Sequence, residues 1–238
     1  MKMCILVVHL TAFCIGLWAE NLQEWLIPLR EAVYEQKLDV EEIKTLYDAA
    51  KTAANADCSG AVLDLALSRC EYFMGRAFQD NKRKDEAFAR YQEGIKLAEK
   101  SLSAAPSAEA WVMRAENISQ SCAVGTVGYA MSNGLNVEKF AKNALALNSR
   151  NAAAQILIAA RWVYAPTPLH NHKKGIEMMM DILEKGDMEK DDRFNVHYAI
   201  GYAYVQQKKY AEARPWLLKS LEIYPSNKFA AELLTKKK

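Results

Sequence analysis

Proline and glycine are scarce in this chain, six and ten of 238 residues. A β-sandwich needs many turns and a collagen-like chain needs glycine at every third position, so both classes are excluded. Charge of one sign is also missing: 31 basic residues face 29 acidic ones. No basic block dominates, and an electrostatic nucleic-acid binder would show one. Cysteine is sparse, five in all, and no two form a Cys-x-x-Cys pair; thioredoxin-like and zinc-ribbon chemistry therefore have no support. What is present is an ordinary globular share of apolar residues, 51%, with 25% charged, which separates the chain from disordered sequences.

The first residues carry one positive charge, Lys2, then an apolar run from Met3 to Leu17, then Ala19 before Glu20 and Asn21. This is the layout of a secretory signal peptide, and cleavage is expected after Ala19. His9, Thr11 and Gly16 interrupt the run, which is shorter than the ~20 residues of a bilayer span; the alternative is an uncleaved N-terminal anchor. The mature chain is then expected to be exported, periplasmic or envelope-associated, with no membrane span of its own. It would keep Cys58, Cys70 and Cys122, an odd number that cannot all pair within one chain. Free buried thiols are expected, with a single bridge among the three as the alternative.

After residue 20 the apolar pattern has helical period almost throughout. Leu22, Trp25, Leu26, Leu29 and Val33 form one stripe, and Ile43, Leu46, Tyr47 and Ala50 another. Asp39 with Glu42 has the capping-box spacing, and Ser107, Asn151, Asp191 and Ser226 stand before further periodic runs. No stretch alternates with period two. The fold class that follows is all-α, with about eleven helices.

One stretch of 34 residues, 194–227, places Ile200-Gly201 ahead of Tyr204, Ala213, Leu217, Ser220 and Pro225. Small residues at 201 and 213 allow two helices to cross closely, Tyr204 and Leu217 fill the space beside the crossing, and Pro225 ends the second helix. This pattern resembles the tetratricopeptide repeat (TPR), with His197 where tryptophan is usual. Weaker copies lie upstream, headed by small residues at 75, 115 and 159 and separated by 40, 44 and 42 residues. The excess over 34 is placed in a longer second helix near 99–105, insertions between paired helices at 123–134 and 165–172, and a further insertion near 186–190. The resemblance implies a TPR-like α-solenoid over 60–225, about four repeats, within a single domain from 20 to 238. Residues 20–56 are read as an N-terminal helix pair covering the first repeat, and 226–238 as a capping helix. The layout is also similar to the T component of tripartite ATP-independent periplasmic transporters, in being exported, in its cryptic repeats and in Trp162-Val163-Tyr164-Ala165-Pro166 before a Gly175-headed helix. That resemblance implies an accessory role in periplasmic transport or envelope assembly.

Catalytic motifs are wanting: there is no Gly-x-Ser-x-Gly, Walker loop or His-Glu-x-x-His. Gly125-Thr126-Val127-Gly128 follows no strand and is read as a flexible insertion. His170 and His172 would need a third ligand to hold a metal, and Met178-Met179-Met180 spread around a helix rather than forming one stripe. Asn117-Ile118-Ser119 has the glycosylation pattern but lies inside a helical run. No enzyme activity, cofactor or metal is expected.

Function is instead expected from shape. In TPR proteins, fixed positions of each first helix line a concave groove. Carried onto this chain, the resemblance implies a lining of Arg69, Tyr72, Arg76 and Gln79; Glu109, Val112, Glu116 and Gln120; Ile156, Ala160, Val163 and Tyr164; and Asn195, Tyr198, Tyr202 and Gln206. Tyrosine and arginine are favoured at contacts, so a protein or peptide partner is expected. Insertions collected on one edge mark a rim, with Tyr129, Asn133, Leu169 and His170 as rim-loop candidates. The alternative is a small-molecule or lipid pocket closed by those insertions. Neither the partner nor the oligomeric state follows from the sequence.

Overall fold

The computed structural model describes residues 23–236. The proposed leader at 1–19, Lys237 and Lys238 lie outside the described residues. The chain begins with a short 3-10 turn, Glu24–Leu26, and continues through eleven α-helices. They are α1 Ile27–Glu35, α2 Val40–Asp57, α3 Gly60–Asp80, α4 Lys84–Ala104, α5 Ala108–Val124, α6 Val127–Leu147, α7 Ala152–Tyr164, α8 His172–Lys185, α9 Lys190–Gln206, α10 Tyr210–Ile223 and α11 Lys228–Thr235. The architecture is an all-α, TPR-like solenoid.

Local chemistry sets the helix starts. The Asp39 carboxylate accepts from the backbone N–H groups of Glu41 and Glu42 at 2.9 Å, and Glu42 accepts from the Asp39 N–H at 2.8 Å, a complete capping box. Ser107 and Asn151 cap α5 and α7 as expected. Two starts differ. A box between Glu189 and Asp192 opens α9 two residues ahead of Asp191, so Asp191 sits within the first turn. Asn227 caps α11 in place of Ser226, whose backbone N–H donates to Glu35 instead.

Four hairpins follow: α3–α4, α5–α6, α7–α8 and α9–α10. Their first helices neighbour one another in series, α3 on α5, α5 on α7 and α7 on α9. Gly75, Ala115, Ala159 and Gly201 are buried, one on each first helix. A Cβ on Gly201 would lie 2.6 Å from Leu217 Cδ2, and one on Gly75 would lie 2.7 Å from Tyr91 Cδ1. The crossings therefore need glycine opposite a large partner. The same device recurs with Gly175 on α8 against Val163, and with Gly94 on α4 against Asn117.

The insertions differ from expectation in one place. The 123–134 segment is not a flexible loop: only Gly125 and Thr126 separate α5 from α6. Thr126 accepts from the Tyr129 N–H and starts a helix, so the extra length becomes additional turns of α6. The 165–172 insertion is a loop, joining α7 to α8.

The largest departure lies at the ends. The N-terminal helix was expected to cover the first repeat. It does pack on α3, but it also binds the last repeat. The Tyr34 ring stacks on Tyr224 at 4.9 Å and meets Phe194 edge-on at 5.4 Å. Asn227 Nδ2 donates to the Tyr34 carbonyl at 2.9 Å, and Asn195 Nδ2 donates to the Tyr34 hydroxyl at 3.1 Å. Arg30 pairs with Glu189 and Asp191, and Lys190 pairs with Glu31. Helix α1 thus clasps first and last repeats together. A single apolar cluster runs from Leu29 and Val33 through Tyr72, Phe73 and Tyr91 to Phe194, Tyr224 and Ala230.

Candidate functional site: the inner face of the helical row

The residues expected to line the groove come from α3, α5, α7 and α9, and of these the structure brings Tyr72, Glu116, Tyr164 and Tyr198 around Arg76. Its guanidinium donates to the Tyr72 hydroxyl at 3.1 Å and lies 5.3 Å from the Tyr34 ring centre. Its positive charge is also felt by Glu116, Tyr164, Tyr198 and Asp191, on three further helices. Tyr164 and Tyr202 rings meet at 5.0 Å, and Tyr198 stacks on Phe194 at 5.9 Å. An aromatic wall from α7 and α9 thus stands opposite the charged wall of α3 and α5.

Enclosure changes the acids on this face. Burial, reinforced by Asp192 and Asp191, pushes the Glu116 carboxyl up to about 8, with Arg76 and Arg69 pulling it down. Burial likewise raises Asp191, against the pull of Arg30, and raises Asp192, with Asp191 adding to the rise. Tyr198 is pushed up to about 12 by burial and then by Tyr202. At neutral pH Glu116 is therefore mainly protonated, and a neutral carboxyl donates as well as accepts.

Several polar groups here are unspent. Among the described residues Arg69 and Glu116 make no side-chain hydrogen bond or ion pair, and the hydroxyls of Tyr164, Tyr198 and Tyr202 find no hydrogen-bond partner. Tyr164 keeps 46% of its surface open. These groups are what the face can offer to a guest.

Other expected lining residues are not available. Val112 is buried in a cluster with Leu65, Ala110 and Ala154, because α5 turns that side toward its neighbours; it is core and not lining. Val163 is likewise buried, against Gly175. Tyr72 is buried beneath Tyr34 and Arg76, and Asn195 is engaged by Tyr34. The chain's own α1 takes the contacts that a partner was expected to make there. Gln79 accepts from the Tyr91 hydroxyl at 2.7 Å, Glu109 accepts from Asn151, and Gln120, Ile156 and Ala160 are half-buried, while Gln206 is exposed.

The rim residues divide. Tyr129 and Asn133 are helical and not loop residues. Tyr129 meets Phe88 edge-on at 5.2 Å and accepts from Gln92 at 2.9 Å, and Asn133 donates back to the Tyr129 carbonyl. They pin α6 to α4. Leu169 and His170 are on a loop, and Leu169 is 62% exposed. His170 stacks on His172 at 4.3 Å, and burial, followed by the charge of His170, lowers His172. No group of three potential metal ligands occurs among the described residues.

Sequence reasoning missed four contributors. Asp191 is read from the sequence only as a helix start and Asp192 is not singled out; the earlier box at Glu189 puts both in the first turn of α9. Tyr34 and Arg30 are not part of the apolar stripe that the sequence shows, and nothing local announces their partners on α9. The smaller readings fall out as follows. Met179 is buried, with Met178 and Met180 half-buried against the same cluster. Asn117 is buried, donating to the Met113 carbonyl at 2.8 Å. His197 packs on Trp216 at 5.8 Å with its Nδ1 unpartnered. Cys58, Cys70 and Cys122 are free.

This geometry defines a class, a helical-repeat scaffold with an inner face. Among the comparisons with known proteins, the tetratricopeptide repeat family model matches residues 194–227. No curated protein matches the chain. Among solved structures, a chain in the crystal structure of the APC/C hetero-tetramer Cut9-Hcn1 is similar at 14% identity and a TM-score of 0.32, over 90% of this chain and 49% of that one. The chain thus spans about half the length of that relative.

Proposed function

We propose that the chain is a non-catalytic interaction scaffold that holds an extended segment of a partner polypeptide along the inner face of α3, α5, α7 and α9. The observation that carries this is the set of unspent groups there: Arg69, Glu116 and the hydroxyls of Tyr164, Tyr198 and Tyr202. A backbone presents both donors and acceptors, and a guanidinium, a protonated carboxyl and phenols can meet both. Aromatic faces take up apolar side chains between those contacts. The apolar run 3–17 supports export, so the partner would be met outside the cytoplasm.

The pocket alternative finds less support. Closure of the row comes from α1 and not from the insertions, and neither described cleft includes Glu116, His170 or His172. A display library of linear peptides selected on the full chain tests the scaffold reading. Selected peptides should bind Tyr164→Ala/Tyr202→Ala at least tenfold more weakly and His197→Ala unchanged. Equal binding to the double variant would overturn it. Mass measurement of the exported form tests the cut after Ala19.

A further inference from the structure

The most exposed apolar side chains in the described part of the molecule are not scattered. Val127, Met131 and Leu135 are 77%, 80% and 72% exposed, and their spacing of four puts them on one face of α6. The cause is a mismatch of helix lengths. Helix α6 has 21 residues and the next helix, α7, has 13. The two run antiparallel from the 148–151 turn, and Arg161 in the last turn of α7 pairs with Glu138 at 2.7 Å. Cover by α7 ends about there. The turns from Val127 to Glu138, about 16 Å of helix, project past it. Their opposite face carries Tyr129, which meets Phe88 and Gln92 of α4.

The surroundings of this stripe are graded in charge. No charged residue lies between Glu116 and Glu138. At the base of the overhang, Leu135 borders a cleft of about 520 Å³ lined by Lys139, Lys142 and Arg161 together with Glu138 and Asn143. Glu138 pairs with both Lys142 and Arg161, so two cations share one carboxylate, and Lys139 adds a third positive charge beside them. Beyond α7, the loop to α8 adds the exposed Leu169, and the first turn of α8 adds exposed Lys173 and Lys174.

We propose that this edge docks on an anionic lipid bilayer, with Val127, Met131 and Leu135 entering the acyl boundary and Lys139, Lys142 and Arg161 meeting lipid phosphates. A convex apolar ridge needs a yielding partner, and lipid supplies one without a matching groove. Apolar tips with cations one or two turns behind them have the depth profile of an interfacial helix. A second copy is the weaker occupant: three side chains fall far short of the ~800 Å² per partner of a stable protein interface. The scaffold's inner face stays free in this pose.

Flotation with vesicles of phosphatidylcholine containing about one-third phosphatidylserine tests the proposal. The full chain is used with Leu6→Asn/Val7→Asn/Val8→Asn, so that the apolar run 3–17 does not itself carry the protein to the bilayer. This background should float, and less so on phosphatidylcholine alone. Adding Val127→Asn/Met131→Asn/Leu135→Asn should lower the partition coefficient at least tenfold. Adding Lys139→Gln/Lys142→Gln instead should lower it about tenfold on anionic vesicles only. Val127, Met131, Leu135, Lys139 and Lys142 are exposed, so these added substitutions should leave circular dichroism and the melting temperature of the background unchanged. Equal flotation of the triple-Asn variant would overturn the proposal. So would sedimentation showing that the stripe mediates a dimer in the absence of vesicles, lost in that same variant.

Discussion

The first and last hairpins, α3–α4 and α9–α10, solve one packing problem in two ways. Both place a glycine on the first helix, at 75 and 201, beneath a large side chain on the second, Tyr91 and Leu217. Both turn between helices through a lysine with positive φ, Lys82 at 63° and Lys208 at 60°. The offset between equivalent residues is the same throughout. Yet only the last hairpin carries the readable signature. The first has helices of 21 residues and a buried charged knot: Glu71 accepts from the Tyr47 hydroxyl at 2.5 Å, from Lys51 at 3.2 Å and from Arg90 at 3.3 Å. The difference teaches that the small-against-large crossing defines the unit, while length and signature residues drift around it.

The comparison can be broken where the two hairpins meet. Tyr34 is buried between them, and Tyr34→Ala is expected to cost about 4 kcal/mol, as loss of a buried ring does. The loss should appear as a lower denaturation midpoint. The charged knot ties the first hairpin to α2. Glu71→Ala should cost about 2 kcal/mol because it leaves the Tyr47 hydroxyl without its acceptor, while Lys51 and Arg90, each more than a third exposed, turn to water; thermal melting reads this.

The glycines sharpen it further. In Gly75→Ala the new methyl meets a ring held by its hydroxyl bond to Gln79, so a cost of about 2 kcal/mol is expected despite the better helix propensity of alanine. Gly201→Ala meets the end of a flexible leucine and should cost about 1 kcal/mol. Equal costs would mean that the two crossings are not distinguished by what faces the glycine.

A further effect is expected in pH. Glu116 has its folded pKa raised to about 8 by burial, above the ~4.3 of an unfolded glutamate. The folded state therefore holds its proton more tightly. That stabilisation is full below about 4 and is lost as pH rises through about 8. Asp192 slopes the same way. Glu116→Gln should flatten part of this decline, so variant and wild type should converge at low pH and separate in the variant's favour near pH 8.

Much of the architecture was legible because it is written locally. Asp39 with Glu42, Ser107 and Asn151 mark helix starts by side-chain chemistry alone, and the glycine crossings show in residue size. The inner face was legible in part, since helical period puts Arg69, Arg76 and Glu116 on one side. It failed at Val112, which α5 turns toward its neighbours, and at Tyr72, which lies beneath Tyr34 and Arg76. The α1 clasp was not legible: an aromatic residue packing on Tyr224 and one packing on its own neighbours have the same local pattern. The extra turns of α6 were hidden by Gly125, Gly128 and Gly134, which lower helix propensity but are overridden by the cap at Thr126 and the grip of Tyr129 on α4.

Closure of the row by its own N-terminal helix is most directly tested by zero-length carbodiimide cross-linking of the full chain, read by peptide mass spectrometry. Lys190 and Glu31, which pair across 159 positions, should join within single chains at monomer mass, alongside the local pair Lys44 and Asp48. Reaction of the local pair with no Lys190–Glu31 product would contradict the clasp, and with it the enclosed inner face on which the scaffold reading stands.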